Sequence, residues 1–190
     1  MPNLTVLDTP ATVNFDYQTM MDPRVYLTLY GSNTASGAYI LSTQTLPSQD
    51  MYTSGLGGST KVVDKDFDLL FKSTQVMQGA CMMHIGFGML GDTNVRAEIR
   101  LRKYSKAGVE SEIASTSSTT PDVWTSSAHI INIPETIFRA GDIFRTTVEL
   151  HTTNSGAGAG GFFLHDPADR NYTGFETSQF IVVAPFRPFL

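Results

Sequence analysis

The sequence predicts an all-β antiparallel sandwich, and three observations lead there. Apolar residues recur at every second position rather than every third or fourth through most readable segments. The alternating runs are short and bounded by Gly, Asn, Ser, Asp and Pro clusters. Strand patterns follow one another without the helical segments that a βαβ unit needs. A chain of 190 residues also buries about 70% of its unfolded surface, enough for one core without disulfides or metals.

In chain order, residues 1–22 read as an arm with a candidate first strand at Thr12 to Thr19, carried by Val13, Phe15 and Tyr17. Residues 23–190 form the sandwich domain. Its first strand sets Tyr26 and Tyr30 against Val25, Leu27 and Leu29, so both faces are apolar. Gly37 to Thr45 and Phe67 to Met77 are expected as further strands. Cys81, Met83, Ile85, Phe87 and Met89 then oppose Ala80, Met82 and Leu90, again with two apolar faces. Val95, Ala97, Ile99 and Leu101 alternate with Arg96, Glu98, Arg100 and Arg102, which marks a strand with one wet face. Ser105-Lys106-Ala107-Gly108 turns the chain back into Val109 to Ser115. Ser115 to Thr120 reads as a loop, Ala128 to Ile133 as a strand, and Pro134 to Ile137 as a single helical turn. In Ile143 to His151, Phe144, Val148 and Leu150 oppose Arg145, Thr147 and Glu149. Gly161 to His165 is a strand, and the last strand sets Phe180, Val182, Ala184 and Phe186 against Ile181 and Val183.

One face of a sandwich strand meets the core, so a second apolar face needs a second cover. A partner subunit and the chain's own residues 42 to 66 are the two candidates.

The net charge of −5, from 18 acidic and 13 basic residues, argues against nucleic-acid and anionic-membrane partners. The N-terminus has no basic stretch followed by an apolar run, and no segment approaches 18 apolar residues, so neither Sec export nor a membrane span is expected. Cys81, among methionines, reads as a buried inert thiol.

No enzyme, cofactor or metal is expected from the motifs. The glycines of Ser155 to Gly161 lead into a strand rather than a helix, which suits a hairpin tip and not a phosphate cradle. His165-Asp166-Pro167-Ala168-Asp169-Arg170 has type I turn chemistry, with a calcium site on Asp166 and Asp169 as the competing reading. His84, His129 and His151 lack metal-ligand spacing, and no serine sits in a nucleophile elbow. Arg96, Arg100 and Arg102 form a stripe that either meets an acidic group or closes cross-strand ion pairs.

From Ile133 to Phe186, the order of a Gly141-Asp142 turn, a strand, a Gly-rich hairpin, His165 to Arg170 and Thr177 to Phe186 resembles TNF/C1q-like jelly-roll decoration and head-fibre proteins of tailed bacteriophages. The resemblance implies a homotrimer that cements a capsid surface by bridging subunits of the major capsid protein. It would be made in a host cytoplasm and carried on the virion. It places Tyr26, Tyr30, Phe180, Val182 and Phe186 against neighbouring subunits. Two alternatives stay open: a receptor- or carbohydrate-binding jelly-roll module of a phage fibre, stacking sugars on Tyr52, Trp124 and Tyr172, and a hydrolase using carboxylates distant in sequence.

Overall fold

A computed structural model describes residues 24–45, 47–56, 61–90, 95–120, 124–152, 160–172, 174–175 and 177–187. The candidate strand at Thr12 to Thr19 and the tip at residues 155–159 lie outside these. Eleven strands are found among the described residues: β1 (Val25–Asn33), β2 (Tyr39–Ser42), β3 (Tyr52–Leu56), β4 (Lys61–Leu70), β5 (Gln75–Leu90), β6 (Val95–Tyr104), β7 (Glu110–Thr120), β8 (Trp124–Phe138), β9 (Ile143–Thr152), β10 (Gly160–Leu164) and β11 (Phe180–Arg187). No helix of the described residues is long and apolar enough to cross a membrane.

The strands follow the order β3-β10-β5-β11-β1-β2-β4-β9-β6-β7, with β8 on the other edge of β5. The ribbon folds at β2, whose only link to β4 is one parallel bridge, Ile40 to Asp68. The result is an antiparallel β-sandwich. Its first sheet is β3, β10, β5, β11 and β1 with β8, and its second is β4, β9, β6 and β7. Strand β5 is long enough to pair with β11 through Val76–His84 and with β10 through Gly86–Leu90.

The core lies between the sheets and is rich in phenylalanine. Phe67 of β4 meets Phe180 of β11 at 4.9 Å and Phe163 of β10 at 5.7 Å, both edge to face. Gly31 is required there, because a Cβ would overlap the Phe180 ring. Val95, Ala97, Ile99 and Leu101 are fully buried, as are Phe144, Val148 and Leu150, so alternation located the core face of β6 and β9.

Several elements differ from the sequence reading. Pro134 to Ile137 is part of β8 and not a helical turn. Among the described residues β8 pairs only with β5, and the ladder shifts register between Met77 and Gly79, beside Pro134, where a missing N–H costs no ladder bond. Ser115 to Thr120 is strand, because β6 pairs with it from Val95↔Thr120 to Arg100↔Ser115. Phe67 to Met77 is two strands, interrupted after Leu70. Phe180, Val182 and Phe186, expected at a subunit interface, are buried in the core at 0, 0 and 6% exposure. The outward set of β11 is Ile181 and Val183 instead.

Candidate functional site

The outer face of the second sheet carries the ions. The register sets Asp64, Glu149 and Glu98 in one row across β4, β9 and β6, and Asp68, Arg145 and Arg102 in another. Cations reach the carboxylates directly across, diagonally across and along the strands. Arg145 grips Asp68 with two bonds of 2.8 Å, and Arg102 reaches Asp66 at 2.6 Å while also bonding Thr147. Arg96 and Arg100 both bind Glu98, so the arginine stripe closes ion pairs within the sheet.

In this network Glu98, Glu149 and His151 bring ligand-type atoms within 4.8 Å of one another. Their oxygens are already engaged. Lys61 holds Glu149 at 2.9 Å and Asp64 at 3.0 Å, His151 Nε2 lies 3.0 Å from Glu149, and Arg100 lies 3.6 Å from it. Burial pushes the Glu149 carboxyl up, but the bonds from Lys61 and His151 outweigh it and hold its pKa below the usual range. Three carboxylates, Asp64, Glu98 and Glu149, face three cations, Lys61, Arg96 and Arg100. A divalent ion would add its charge to a cluster already balanced.

A second polar cluster ties the loop before β3 to the end of β10. Ser48 Oγ donates to the His165 carbonyl at 2.9 Å and lies 3.3 Å from His165 Nδ1, while Thr53 Oγ1 lies 2.9 Å from Nε2. Ser48 and His165 are buried at 3 and 0% exposure, so this serine–histidine pair faces no substrate space. Asp166 accepts the N–H groups of Ser48, Ala168 and Arg170 and pairs with the Arg170 side chain at 2.7 Å. That confirms turn chemistry and fills the oxygens a calcium ion would need. Arg170 pairs with Asp166, while Asp169 accepts from Thr177 and Ser178.

The outer face of the first sheet is apolar. Cross-strand rows run Thr28–Val183–Met82–Ile130 and Tyr30–Ile181–His84–Ala128 through β1, β11, β5 and β8. Ile130 is 66% exposed, Tyr26 48% and Met82 45%, and Tyr30 is half-buried. His84 Nδ1, in the middle of this face, is buried without a hydrogen-bond partner among the described residues. Towards β10 the same face is covered by the chain itself, through Tyr172 and Phe175 packed on Phe162 at 5.4 and 5.9 Å. Gly88 permits this, because a Cβ there would overlap the Phe162 ring. Tyr52 joins the cluster 5.5 Å from Tyr172, so the fold unites two of the three aromatics picked out in the sequence, their rings edge-on to each other. Trp124 begins β8, opposite Gly88. Among the described residues this cover comes from Tyr172 and Phe175, with Tyr52, inside the 42–66 stretch, packed beside them 5.9 Å from Phe162. The β1, β11, β5 and β8 portion carries the exposed residues Tyr26, Met82 and Ile130.

No family model and no curated protein sequence matches the chain. Solved structures match its fold. A CocE/NonD family hydrolase from Staphylococcus aureus aligns with a TM-score of 0.63 at 10% identity, over 87% of this chain and 37% of that one. An aminopeptidase from a marine sediment Thaumarchaeota archaeon gives 0.61 at 6% identity over 87% and 37%. An α-amino acid ester hydrolase gives 0.60 at 11% identity over 85% and 36%. The chain therefore spans little more than a third of the hydrolases it matches, and at these identities the likeness is one of fold. It corrects the capsid-decorating reading, since the matching sandwiches belong to hydrolases. The residues that carried that resemblance perform local turn work: Gly141 has φ 93°, Asp142 accepts backbone N–H groups from Arg139 and Lys106, and Asp166 closes its turn.

Proposed function

We propose that this chain is a non-catalytic association module that binds a second copy of itself through the open outer face of the first sheet. The observation that carries the proposal is the exposure of Ile130 and Met82, directly opposite each other on β8 and β5, and of Tyr26 on β1 of the same face. Val183, Met82 and Ile130 follow one another in one cross-strand row, and contiguous exposed apolar surface of this kind marks interaction sites. The central rows of this face contain no Lys, Arg, Asp or Glu, so two copies meet without opposed like charges. The second sheet, by contrast, spends its charges on itself. The buried Ser48–His165 pair speaks for the absence of catalysis at that point of the fold.

Light scattering over a wide dilution range tests this, with Ile130→Asp and Met82→Lys as variants. A stable oligomer that both substitutions dissociate supports the module. A strict monomer, or an oligomer indifferent to both, rejects it. A second reading is favoured by the size of the match to the hydrolases: the same face packs against a separate catalytic body. A monomer that binds such a body, and loses it on Ile130→Asp, would select that reading.

A further inference from the structure

β2 pairs with β1 only from Tyr30 to Asn33 and then leaves the sheet edge at a bend, where the Gln44 N–H donates to Ser42 Oγ at 3.1 Å. The edge of Val25–Thr28 that would continue this ladder has no strand partner among the described residues. All four of these residues are exposed, and burial begins abruptly at Leu29. Val25 and Leu27 belong to the core-facing set of β1, opposite Phe186 and Ala184, yet they stand 48 and 38% exposed. Beneath them lies a groove of about 640 Å³ whose apolar walls include Leu29, Leu69, Phe71 and Phe186. A free strand edge beside an apolar groove is the geometry that captures an extended peptide. Main-chain bonds hold the peptide, and alternate side chains enter the groove.

We propose that this groove takes the C-terminal tail of a partner protein, added antiparallel to Val25–Thr28, with apolar residues opposite Val25 and Leu27 and its terminal carboxylate at Lys72. Direction supports this occupant. An antiparallel strand on this edge runs as β2 does, towards Val25, and by starting at Thr28 it clears Tyr30, where β2 pairs. The loop of residues 71–75 crosses from β4 to β5 at the Val25 end, because Phe186 pairs with Val25 on one side and with Met77 on the other. A chain end fits against this loop, where a continuous segment would have to turn aside. Charge is complementary. The groove is lined by Lys72 and by no Asp or Glu among the described residues. Lys72 is exposed and forms no ion pair among the described residues, whereas Arg187 is engaged by Gln78 and Glu135, so the carboxylate goes to Lys72. Parity sets the peptide pattern. Residues opposite each other in an antiparallel pair share a face, so side chains opposite Val25 and Leu27 enter the groove and those opposite Tyr26 and Thr28 stay outside.

The groove lies on the core side of β1 and the association face on the opposite side, so this proposal and the previous one fail independently. Fluorescence anisotropy of the full chain tests it with a labelled hexapeptide of alternating Thr and Leu that ends in Leu with a free carboxylate. The comparison peptides are its C-terminal amide and an isomer with the three Leu together. The alternating acid is expected to bind saturably, and Leu27→Gln to weaken it at least about tenfold by removing the apolar wall. Val25→Gln gives the same loss through a second wall residue. Amidation or Lys72→Gln is expected to weaken binding about threefold, the worth of one exposed ion pair, and the amide no longer responds to Lys72→Gln. Amide exchange over Val25–Thr28 slows in the complex while β6 and β9 are unchanged. No saturation up to about 1 mM peptide overturns the proposal. So does equal binding of the acid and the amide, equal binding of the isomer, or binding indifferent to both wall substitutions.

Discussion

Glu98 and Glu149 stand directly opposite each other on β6 and β9, two carboxylates in a position where like charges repel. The surrounding cations make the pairing tolerable, and they do so unequally. Glu149, 6% exposed at its side chain, is held by Lys61 and His151, while Glu98, 17% exposed, binds Arg96 and Arg100. Glu149→Gln is expected to cost about 2 kcal/mol in urea unfolding, because it strips buried charge-assisted bonds. Glu98→Gln is expected to cost under about 1 kcal/mol, since it also removes the repulsion. Millimolar zinc or calcium leaves Tm unchanged if the cluster is closed; a rise of several degrees with either would show a metal site.

His165 makes stability fall on mild acidification. Burial pushes its pKa down from 6.5 to about 4. Between those values the unfolded chain takes up a proton that the folded chain refuses, so its contribution is complete above pH 6.5 and is lost as pH falls towards 4. The slope approaches about 1.4 kcal/mol per pH unit for one proton. His129, also lowered by burial, acts in the same direction. Urea midpoints from pH 7.5 to 4 should show this slope in the parent and a shallower one in His165→Gln. Equal slopes would mean that His165 titrates normally.

Asp142 governs a lower window. The Arg139 N–H at 2.9 Å, the Lys106 N–H at 3.1 Å and Lys103 at 3.0 Å hold its carboxyl down at about 2. A lowered acid pKa stabilises the fold above the ordinary value of 3.8, and that stability is lost as pH falls from there to about 2. Asp142→Asn is expected to cost about 2 kcal/mol at neutral pH and to flatten this acid loss. Gly141→Ala, at φ 93°, should cost about 1 kcal/mol or more for a different reason, backbone strain. Thermal unfolding at pH 2, 4 and 7 separates the two.

Thr146 is a site where the natural residue is not the most stable one. It is fully buried in β9, and its Oγ1 has no hydrogen-bond partner among the described residues. Thr146→Val keeps the branched shape and removes the unpaired hydroxyl, so it should stabilise by about 1 kcal/mol. A loss of stability on this substitution would show that the hydroxyl is in fact bonded.

What the sequence determined by itself was whatever depends on neighbours in the chain. Alternation put Val95, Ala97, Ile99 and Leu101 inside because the intervening Arg and Glu have to reach water. Gly141-Asp142 and Asp166 announced turns because the chemistry that makes those turns is local. Where both faces of a strand are apolar, alternation carries no sign, and Phe180 and Val182 could not be told from Ile181 and Val183. Phe67, more than a hundred residues away, decided it by packing on Phe180 from the opposite sheet. The charged cluster and the polar latch were hidden for the same reason. Glu98 meets Glu149 only through the β6–β9 register, and Ser48 meets His165 only because the loop before β3 lies against the end of β10. Local pattern fixes which residues want water; only the pairing of distant strands decides which of the others meet.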